Sequence, residues 1–589
     1  MNEEKKLDKK EILRHSTAHI LAAAVLEMFP DAKFGTGPST EDGFYYDFML
    51  PRTLIPEDLE ILESKMQEII KANHSFEKEE ISIESAIEHF EKASQHYKVE
   101  LIKELRKEGN KTVSVYKTGS FIDLCSGPHI DSTGEINFKA FKLTKISGAY
   151  WRADENNDQL QRIYGVVFSD KKGLKDYLNQ IEEAKKRDHR KLGKELDLFV
   201  FSDLVGPGLP LFTPKGTVII EELRNHIESV CKKYGFQRVI TPHLSKIDLF
   251  KISGHADKFS EELFHVTSEK KHNFVMKPVQ CPHQTQIYAS KTRSYRDLPI
   301  RYMESEKQYR AEKSGEVGGL NRVYAITVED GHSFCRVDQI KDEVIGMINI
   351  IKDFYSSLGL WDKFWVSLSV RDYAHPEKYI GNEKDWDRCE EMLQEISDEM
   401  KLSAKKCEGE AALYGPKLDF MFKDAMGREI QIPTVQLDFA TPQRFKLEYT
   451  NEKGEKESPV MVHRAILGSY ERFLVMLIEH FAGAFPTWLA PIQASIVPVS
   501  EKFNDYAEKL QNELLESGIR ADLNNKDESL GKRIREEEKQ KVPYILVVGE
   551  KEETDNTVAI RKRGEKNKQE VIKFEDFKKD ILDEIKERK

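Results

Sequence analysis

The chain has 589 residues, of which 39% are hydrophobic and 33% are charged, and it carries a net charge of −11. This length predicts three or four domains with cores of their own. The excess of acid excludes a protein that is basic throughout, so any nucleic acid must be bound by local patches. The six cysteines are scattered without a Cys-x-x-Cys pair, which favours a reducing compartment over a disulfide framework. The mixed-charge N-terminus and the lack of a long apolar run predict a cytoplasmic protein without a membrane span.

The first predicted element is an amphipathic helix over residues 11–29. His15 and His19 lie on one face of it, because they are four residues apart. Much later, a Gly-Pro turn folds Cys125 toward His129. Two such pairs offer four candidate metal ligands or acid–base groups. Either pair alone is more often a surface or packing feature, but the two pairs together favour a functional site.

A charged helical connector is predicted over residues 174–199. Its basic run at residues 185–191 could contact nucleic acid, although a solvated helix face is the simpler interpretation. The connector leads to a helix over residues 218–235, closed by Gly235, and then to a strand over residues 236–244. We expect this helix and strand to open the largest domain.

The stretch 301–336 predicts an antiparallel hairpin, in which a flexible loop joins two apolar strands. The small loop residues are Ser314, Gly315, Gly318 and Gly319. Arg310 ends the first strand and Arg322 starts the second, and guanidinium groups bind phosphate with two donors. Glu329 and Asp330 lie beyond them and suit an amine. An exposed hairpin with scattered salt bridges is an equally simple alternative from these residues alone.

Two alternating runs, residues 414–420 and 429–439, predict strands of a central antiparallel sheet. Strict alternation puts Gln431 on one face and Thr434 with Gln436 on the opposite face, unless a bulge intervenes. From residue 490 onward the chain alternates as β-α-β-α-β-β, which is typical of an α/β domain.

These segments together resemble a known family. The Arg-x-Glu of Arg310, the variable loop and the Gly-Leu-x-Arg ending at Arg322 resemble motif 2 of class II aminoacyl-tRNA synthetases, and the EDGHSFC run that contains His332 resembles the threonyl enzymes among them. The helix and strand over residues 218–244 resemble motif 1, and Gly468 to Arg472 resembles motif 3. The resemblance extends over nearly the whole chain.

The resemblance implies a multidomain α+β and α/β fold. A class II antiparallel sheet flanked by helices would follow an N-terminal α+β editing domain and precede a C-terminal α/β anticodon-binding domain. The expected domains are the editing domain at 1–172, the helical connector at 173–199, the catalytic domain at 200–489 and the anticodon-binding domain at 490–589. The small ubiquitin-like domain that precedes editing in many relatives has no room before the first predicted helix.

The implied activity is ATP-dependent formation of threonyl-adenylate, transfer of threonine to tRNA(Thr), and hydrolysis of mischarged seryl-tRNA. The resemblance implies Mg²⁺ with the ATP and a homodimer held at motif 1. Arg310 and Arg472 would neutralise the developing phosphate charge. The residues implied for ATP are Arg310, Glu312, Arg322, Lys417, Gln431 and Arg472, and those for threonine are Asp330, Tyr414, Thr434 and Gln436. The residues implied for editing are His15, His19, Asp123, Cys125 and His129, and those for the anticodon are Asn525, Arg535, Glu552 and Arg561.

One zinc ion per subunit is implied on Cys281, His332 and His463, which spacing alone could not join. Cys281 lies in an expected Pro-flanked loop, and His283 is a weaker rival ligand. Three protein ligands leave zinc open to substrate, and in the family the amine and hydroxyl of threonine take the open positions. Valine lacks that hydroxyl, whereas serine lacks only a methyl group, worth about 1–3 kcal/mol. A second, editing site is therefore required, and we expect no permanent metal there.

Several positions depart from the family pattern. Gln280, His283 and Gln284 stand where the family has Asn and Gly-His, and Val328 replaces an amide expected near the amino acid. Ile432 and Pro433 also stand in place of the usual pair. A catalytically impaired synthetase-like regulator that binds RNA is therefore the main alternative. Further alternatives are a prolyl or seryl enzyme and a free hydrolase.

Overall fold

A computed structural model describes residues 8–41, 43–313, 315–362, 364–423, 427, 429–565 and 569–588 of the protein. Ser314 of the predicted hairpin loop lies outside these residues. The chain divides into two compact units, Met1–Glu182 and Glu183–Lys589. Among the described residues, no helix combines the length and the apolar character that a membrane crossing requires.

The first unit is an α+β structure with two antiparallel sheets. A four-stranded sheet has the order β1-β2-β7-β6 and a three-stranded sheet has the order β3-β4-β5. The strands are β1 Lys33–Phe34, β2 Phe44–Met49, β3 Phe76–Ser82, β4 Thr112–Thr118, β5 Phe121–Leu124, β6 Phe141–Tyr150 and β7 Gln159–Val167. The helices are α1 Lys9–Met28, α2 Pro56–Ala72, α3 Ile83–Lys92 and α4 His96–Lys107, and α5 Lys171–Arg187 spans the boundary between the units.

Helix α1 is the buried helix of this unit. It begins at a capping box in which the Asp8 backbone N–H donates to Glu11 Oε2 at 3.0 Å. Residues 16–25 of the helix are buried, and its apolar side chains pack with Phe44 and Phe48 of β2. The two histidines of α1 are thereby held in a rigid core element rather than on a surface loop.

The second unit contains the largest sheet among the described residues. Eight strands have the order β10-β14-β15-β22-β19-β18-β16-β17. The strands from β8 to β22 are β8 Phe199–Val200, β9 Leu211–Phe212, β10 Gln237–Arg238, β11 Leu244–Ser245, β12 His265–Thr267, β13 Asn273–Met276, β14 Ile300–Tyr309, β15 Ala325–Cys335, β16 Phe364–Val370, β17 Lys405–Glu408, β18 Lys417–Lys423, β19 Glu429–Asp438, β20 Tyr449–Thr450, β21 Lys456–Glu457 and β22 Val460–Ser469. The helices are α6 His189–Glu195, α7 Pro214–Lys233, α8 Ile247–Ser253, α9 His255–Lys258, α10 Cys281–Ala289, α11 Ile340–Ser356, α12 Glu383–Glu399, α13 Ala440–Arg444 and α14 Tyr470–Phe481.

The predicted hairpin forms, but its second strand starts later and runs further than expected. β14 and β15 pair antiparallel from Ile300 opposite Phe334 to Tyr309 opposite Ala325. Glu329, Asp330 and His332 therefore lie inside β15 and not beyond it. The strand predicted at 236–244 was wrong in length, because only β10 pairs with β14 over two residues.

Strict alternation does not hold along β19, because the bulge that the sequence analysis left open does intervene. The register between β18 and β19 shifts between Asp419 and Met421, so that Asp419 faces Thr434 while Met421 faces Gln431. Gln431 Nε2 donates to Asp419 Oδ1 at 2.7 Å. The bulge thus brings the Gln431 amide to the face that carries Thr434.

The C-terminal part of the second unit is an α/β sheet in the order β24-β23-β25-β26-β27. Its strands are β23 Ala494–Pro498, β24 Ala521–Leu523, β25 Tyr544–Val548, β26 Thr557–Lys562 and β27 Glu570–Lys573. Its helices are α15 Asn504–Glu516, α16 Leu530–Lys539, α17 Glu550–Asp555 and α18 Phe574–Glu587. Strands β24 and β25 run parallel to β23, and the edge pairs β25–β26 and β26–β27 are antiparallel.

Candidate functional site

The central sheet of the second unit brings the three candidate metal ligands together. His332 on β15 lies directly opposite His463 on β22, and Cys281 is the first residue of α10. One donor atom from each residue lies within 4.8 Å of the others. All three side chains are buried. Neighbouring strands thus join residues that are far apart along the chain.

Each histidine of this cluster is held by a hydrogen-bonded partner. His332 Nδ1 lies 2.7 Å from Gln284 Oε1, and His463 Nε2 lies 2.9 Å from Asp438 Oδ2. These contacts leave His332 Nε2 and His463 Nδ1 as the nitrogens for a ligand. The sequence predicted no role as a histidine partner for Gln284, which was noted only as a departure from the family pattern, or for Asp438.

The donor set fits a zinc ion. His332 Nε2 is buried and has no hydrogen-bond partner among the described residues, which is costly unless a ligand occupies it. Burial lowers the pKa of His332 well below its ordinary value and so keeps the imidazole neutral. Burial raises the pKa of Cys281, which keeps its thiol protonated. A cation that binds the sulfur would release this proton, because the thiolate is the ligand form. One thiol and two imidazoles are a zinc-type set with a position left open.

One expectation about the surrounding loop needs correction. Cys281 begins a helix and does not lie in a loop, because Pro282 at the second helical position favours a helix start. His283 lies outside the three-residue cluster. Its ring instead approaches Phe250 of α8, at 5.9 Å between centroids.

The residues expected to bind threonine form a connected polar group beside the cluster. Tyr414 Oη donates to Gln436 Oε1 at 2.7 Å, and Gln436 Nε2 donates to Thr434 Oγ1 at 3.2 Å. The Tyr414 ring stacks on His463 at 4.5 Å. Asp330 Oδ1 lies 3.7 Å from His332 Nε2. Burial raises the pKa of Asp330 to about 7.

The residues expected to bind ATP come from the segment between β14 and β15, from strands β18 and β19, and from helix α14. Arg310 follows β14 and donates to the Pro278 carbonyl at 3.4 Å. Arg322 pairs with Glu312 at 2.7 Å, and Lys417 lies 3.1 Å from Asp419. The remaining two are Gln431 on β19, which shares Asp419, and Arg472 in the first turn of α14.

The first unit brings its four predicted residues together at the base of α1. His15 Nε2 lies 3.0 Å from Cys125 Sγ, and Cys125 Sγ lies 3.4 Å from His129 Nε2. His19 stacks edge-on against His129, with centroids 4.2 Å apart. One donor atom of each of the four residues lies within 4.8 Å of the others. Burial raises the pKa of Cys125 to about 11 and lowers the pKa of all three histidines.

Beneath these residues lies a buried charge pair that the sequence did not predict. Lys98 Nζ lies 2.5 Å from Asp123 Oδ1, and both side chains are almost fully buried. Tyr46 Oη donates to Asp123 Oδ2 at 2.5 Å, and His19 Nε2 lies 3.7 Å from the same carboxylate. Ser16 Oγ also contacts His129 Nδ1 at 3.1 Å. Lys98 lies in a charged helix where no local pattern marks it as special.

The candidate anticodon residues occupy the C-terminal sheet and its helices. Asn525 follows β24 and Arg535 lies on α16, and both are exposed. Arg561 on β26 lies 3.5 Å from Glu538, one turn along α16 from Arg535. Glu552 caps α17 by accepting from the Gly549 backbone N–H at 2.9 Å.

Three family models match the chain. They are described as the tRNA synthetase class II core domain (G, H, P, S and T) over residues 264–481, the anticodon binding domain over 493–584, and the threonyl and alanyl tRNA synthetase second additional domain over 113–164. Together with the eight-stranded sheet and its buried site, they define a class II aminoacyl-tRNA synthetase.

Relatives of known function narrow the class. A threonine–tRNA ligase of Gloeobacter violaceus is 48% identical over 94% of this chain and 89% of its own length, and one of Cytophaga hutchinsonii is 47% identical over 93% and 85%. A structure described as the RNA binding domain of threonyl-tRNA synthetase from Cryptosporidium parvum has 34% identity and a TM-score of 0.64, and the match covers 67% of this chain and 98% of that one. A structure described as a putative threonyl-tRNA synthetase from Aeropyrum pernix has 27% identity and a TM-score of 0.60, and the match covers 68% of this chain and 97% of that one. The chain belongs to the threonine–tRNA ligase family, and the expected family, fold class and enzyme class are confirmed.

Proposed function

We propose that this enzyme forms threonyl-adenylate from threonine and Mg·ATP, transfers the threonyl group to tRNA(Thr), and hydrolyses mischarged seryl-tRNA(Thr). The observation that carries the proposal is the presence of two separate Cys/His clusters in a chain of this family. One cluster lies among the candidate ATP and amino-acid residues of the central sheet. The other lies in the first unit, which also contains the whole match to the second additional domain.

The synthetic step needs no protein nucleophile, because the threonine carboxylate attacks the α-phosphorus of ATP and pyrophosphate leaves. Arg310 and Arg472 are assigned to orient the triphosphate and to neutralise the charge that develops on it. Glu312 supports this role by pairing with Arg322, which fixes one guanidinium beside the loop. Lys417 and Gln431 share Asp419 as a partner and are assigned to the nucleotide.

Threonine is assigned to the polar group formed by Asp330, Tyr414, Thr434 and Gln436. The hydrogen-bonded chain from Tyr414 to Gln436 to Thr434 supports this assignment, because it fixes the orientation of the Gln436 amide before substrate arrives. Asp330 is assigned to the substrate amine or hydroxyl. Cys281, His332 and His463 would hold zinc, which when bound supplies a Lewis acid that orients the amino acid.

Editing is assigned to the cluster of the first unit without a permanent metal. Three of its groups, His15, Cys125 and His129, are already engaged with one another and with Ser16 and the Gly127 backbone N–H. Neutral imidazoles are suited to accept a proton from water that attacks the seryl ester. The buried Lys98–Asp123 pair holds a negative charge near His19, which orients that ring.

Three further assignments complete the proposal. Asn525, Arg535, Glu552 and Arg561 are assigned to the anticodon, and the exposure of the first two supports this role. A homodimer is proposed through α7 and β10, and the exposed apolar side chain of Ile240, two residues after β10, supports it, since 72% of this residue is exposed. A cytoplasmic location is proposed, and the six free cysteines among the described residues agree with a reducing compartment.

ATP–pyrophosphate exchange with threonine, serine and valine tests the synthetic assignment. We expect strong exchange with threonine, weaker exchange with serine and none with valine, with loss of exchange when zinc is removed. A folded, zinc-loaded protein that gives no threonine-dependent exchange would contradict the proposal and favour the RNA-binding regulator.

A further inference from the structure

A buried amide connects the candidate metal site to a buried ion pair. Gln284 lies on α10, one turn after Cys281, and is fully buried. Its Oε1 lies 2.7 Å from His332 Nδ1, and its Nε2 donates to Glu304 Oε2 at 3.4 Å. Gln284 thus links a carboxylate on β14 to a histidine on β15.

Glu304 determines which way this amide points. Its Oε1 accepts from the backbone N–H and the hydroxyl of Thr241, at 2.7 and 2.9 Å, and lies 3.3 Å from Lys277 Nζ. The side chains of Lys277 and Glu304 are both 0% exposed. A carboxylate held by these donors is an acceptor only, so the NH₂ group of Gln284 must face it. The carbonyl oxygen of Gln284 must then face His332.

The direction of the amide in turn determines the tautomer of His332. A carbonyl oxygen accepts only, so the proton of the neutral ring must lie on Nδ1. The lone pair then lies on Nε2, the buried atom that has no hydrogen-bond partner among the described residues. This is the nitrogen available to a metal ion shared with Cys281 and His463.

We propose that Gln284 is a positioning residue for the metal site: its amide, oriented by Glu304, holds His332 in the tautomer that presents Nε2 to the metal. The inference rests on the proposed zinc site and concerns a position at which this chain departs from the usual Gly-His of the family. Gln284 contacts neither the substrate nor the metal, and it acts through His332.

The test compares zinc affinity in the full-length wild-type protein, Gln284→Met and Gln286→Met, measured by competition with a chromogenic zinc chelator. Methionine preserves the volume of the side chain but removes the acceptor. We expect Gln284→Met to bind zinc about 10–100-fold more weakly than the wild type. Gln286→Met makes the same chemical change at an exposed position of α10 and should bind zinc as the wild type does.

Gln284→His provides the rescue. A neutral imidazole can donate to Glu304 from one nitrogen and accept from His332 Nδ1–H with the other, so zinc affinity should return to within about threefold of the wild type. Cobalt(II) in place of zinc adds a spectroscopic readout. The visible absorption bands should match the wild type in Gln284→His and should change in Gln284→Met.

The outcomes separate the inference from the proposed function. A wild-type protein that binds no zinc would overturn the metal assignment and the inference together. Zinc bound by the wild type and by Gln284→Met with equal affinity would overturn the inference alone. If Gln284→Met fails to fold, Gln284→Asn takes its place, because the shorter amide cannot reach both partners; normal zinc affinity in that variant would also overturn the inference.

Discussion

The two Cys/His clusters have similar donors and different surroundings. Both bring donor atoms within 4.8 Å of one another. In the second unit, His332 and His463 each use one nitrogen on an outside partner, and His332 Nε2 is left without a partner among the described residues. In the first unit, Cys125 instead lies 3.0 Å from His15 and 3.4 Å from His129, so these three donors engage one another. His19 Nδ1 is the exception there, because it is buried without a hydrogen-bond partner among the described residues.

The comparison teaches that proximity of donors does not by itself define a metal site. Outside groups hold histidine nitrogens in both clusters, since His15 Nδ1 lies 3.3 Å from the Gly37 carbonyl oxygen. What distinguishes the clusters is that the other nitrogens of His15 and His129 contact the Cys125 thiol, whereas His332 Nε2 has no hydrogen-bond partner among the described residues. A cation in the first unit would also have to displace contacts that are already satisfied and would lie near the buried Lys98. We therefore assign metal chemistry to the second unit and water-based hydrolysis to the first.

The largest expected effect comes from Cys281→Ala. Loss of a ligand should remove zinc and cost several kcal/mol of transition-state stabilisation, which lowers threonine-dependent ATP–pyrophosphate exchange about 10³–10⁴-fold. Hydrolysis of seryl-tRNA should continue, because the first unit has its own cluster. Metal content by mass spectrometry and the two assays on one preparation measure this. Cys407→Ala, at a half-buried thiol outside both clusters, is the control; equal losses of exchange in both variants would contradict the prediction.

Lys98→Met should have the next largest effect, on stability rather than on zinc. Removing one partner of a buried pair leaves the Asp123 charge uncompensated and costs about 3–5 kcal/mol. We expect the first unit to unfold at a lower urea concentration and to lose seryl-tRNA hydrolysis, with zinc content unchanged. Lys103→Met, at an exposed position of the same helix, is the control. The double variant Lys98→Met/Asp123→Asn should regain stability, and its failure to do so would contradict the charge argument.

Much of the fold could be predicted from the sequence, because local patterns of apolar and turn residues determine many of its helices and strands. The hairpin of β14 and β15 follows from two apolar runs around a glycine-containing loop. The strand predicted at 236–244 failed because pairing with β14, and not local composition, limits β10 to two residues. The register shift between β18 and β19 at Asp419 could not be predicted for the same reason, since register between strands is a tertiary property.

In the candidate metal site, the ligands could be predicted from the sequence, but the residues that hold those ligands could not. His332 and His463 could be proposed as ligands through a family resemblance, and the sheet pairs them because β15 and β22 are neighbours. Their partners Gln284 and Asp438 lie in runs that were recognised without a role for these residues. Nothing local distinguishes Lys98 from the surface lysines around it, because its role depends on burial against Asp123.

The alkylation rate of Cys125 tests whether the cluster of the first unit holds a metal. Its pKa is raised by burial to about 11, whereas an ordinary cysteine has a pKa of about 8.5, so at pH 8 its thiolate fraction falls about 200-fold. Iodoacetamide labelling, followed by peptide mass spectrometry, should therefore be slower in the folded protein than in urea by at least this factor. The rate should be the same with and without a chelator. Faster labelling after chelation would show that a metal protects Cys125.

The smallest expected effect concerns Val328, which stands where an amide is expected. Val328 is half-buried on β15, directly opposite Glu306 of β14 and on the same face as Asp330. Val328→Gln adds a group that can hydrogen-bond the amino acid, worth about 0.5–1.5 kcal/mol, so KM for threonine in the exchange assay should fall about 2–10-fold. Ile326→Gln, two residues earlier on the same face, should leave KM unchanged. The amide would contact atoms that serine and threonine share, so the ratio of kcat/KM between them should stay the same and editing should still be required. A kcat/KM ratio that shifts toward threonine would mean that Val328 limits discrimination between the two side chains. Rejection of serine would then be shared between the synthetic site and the editing site.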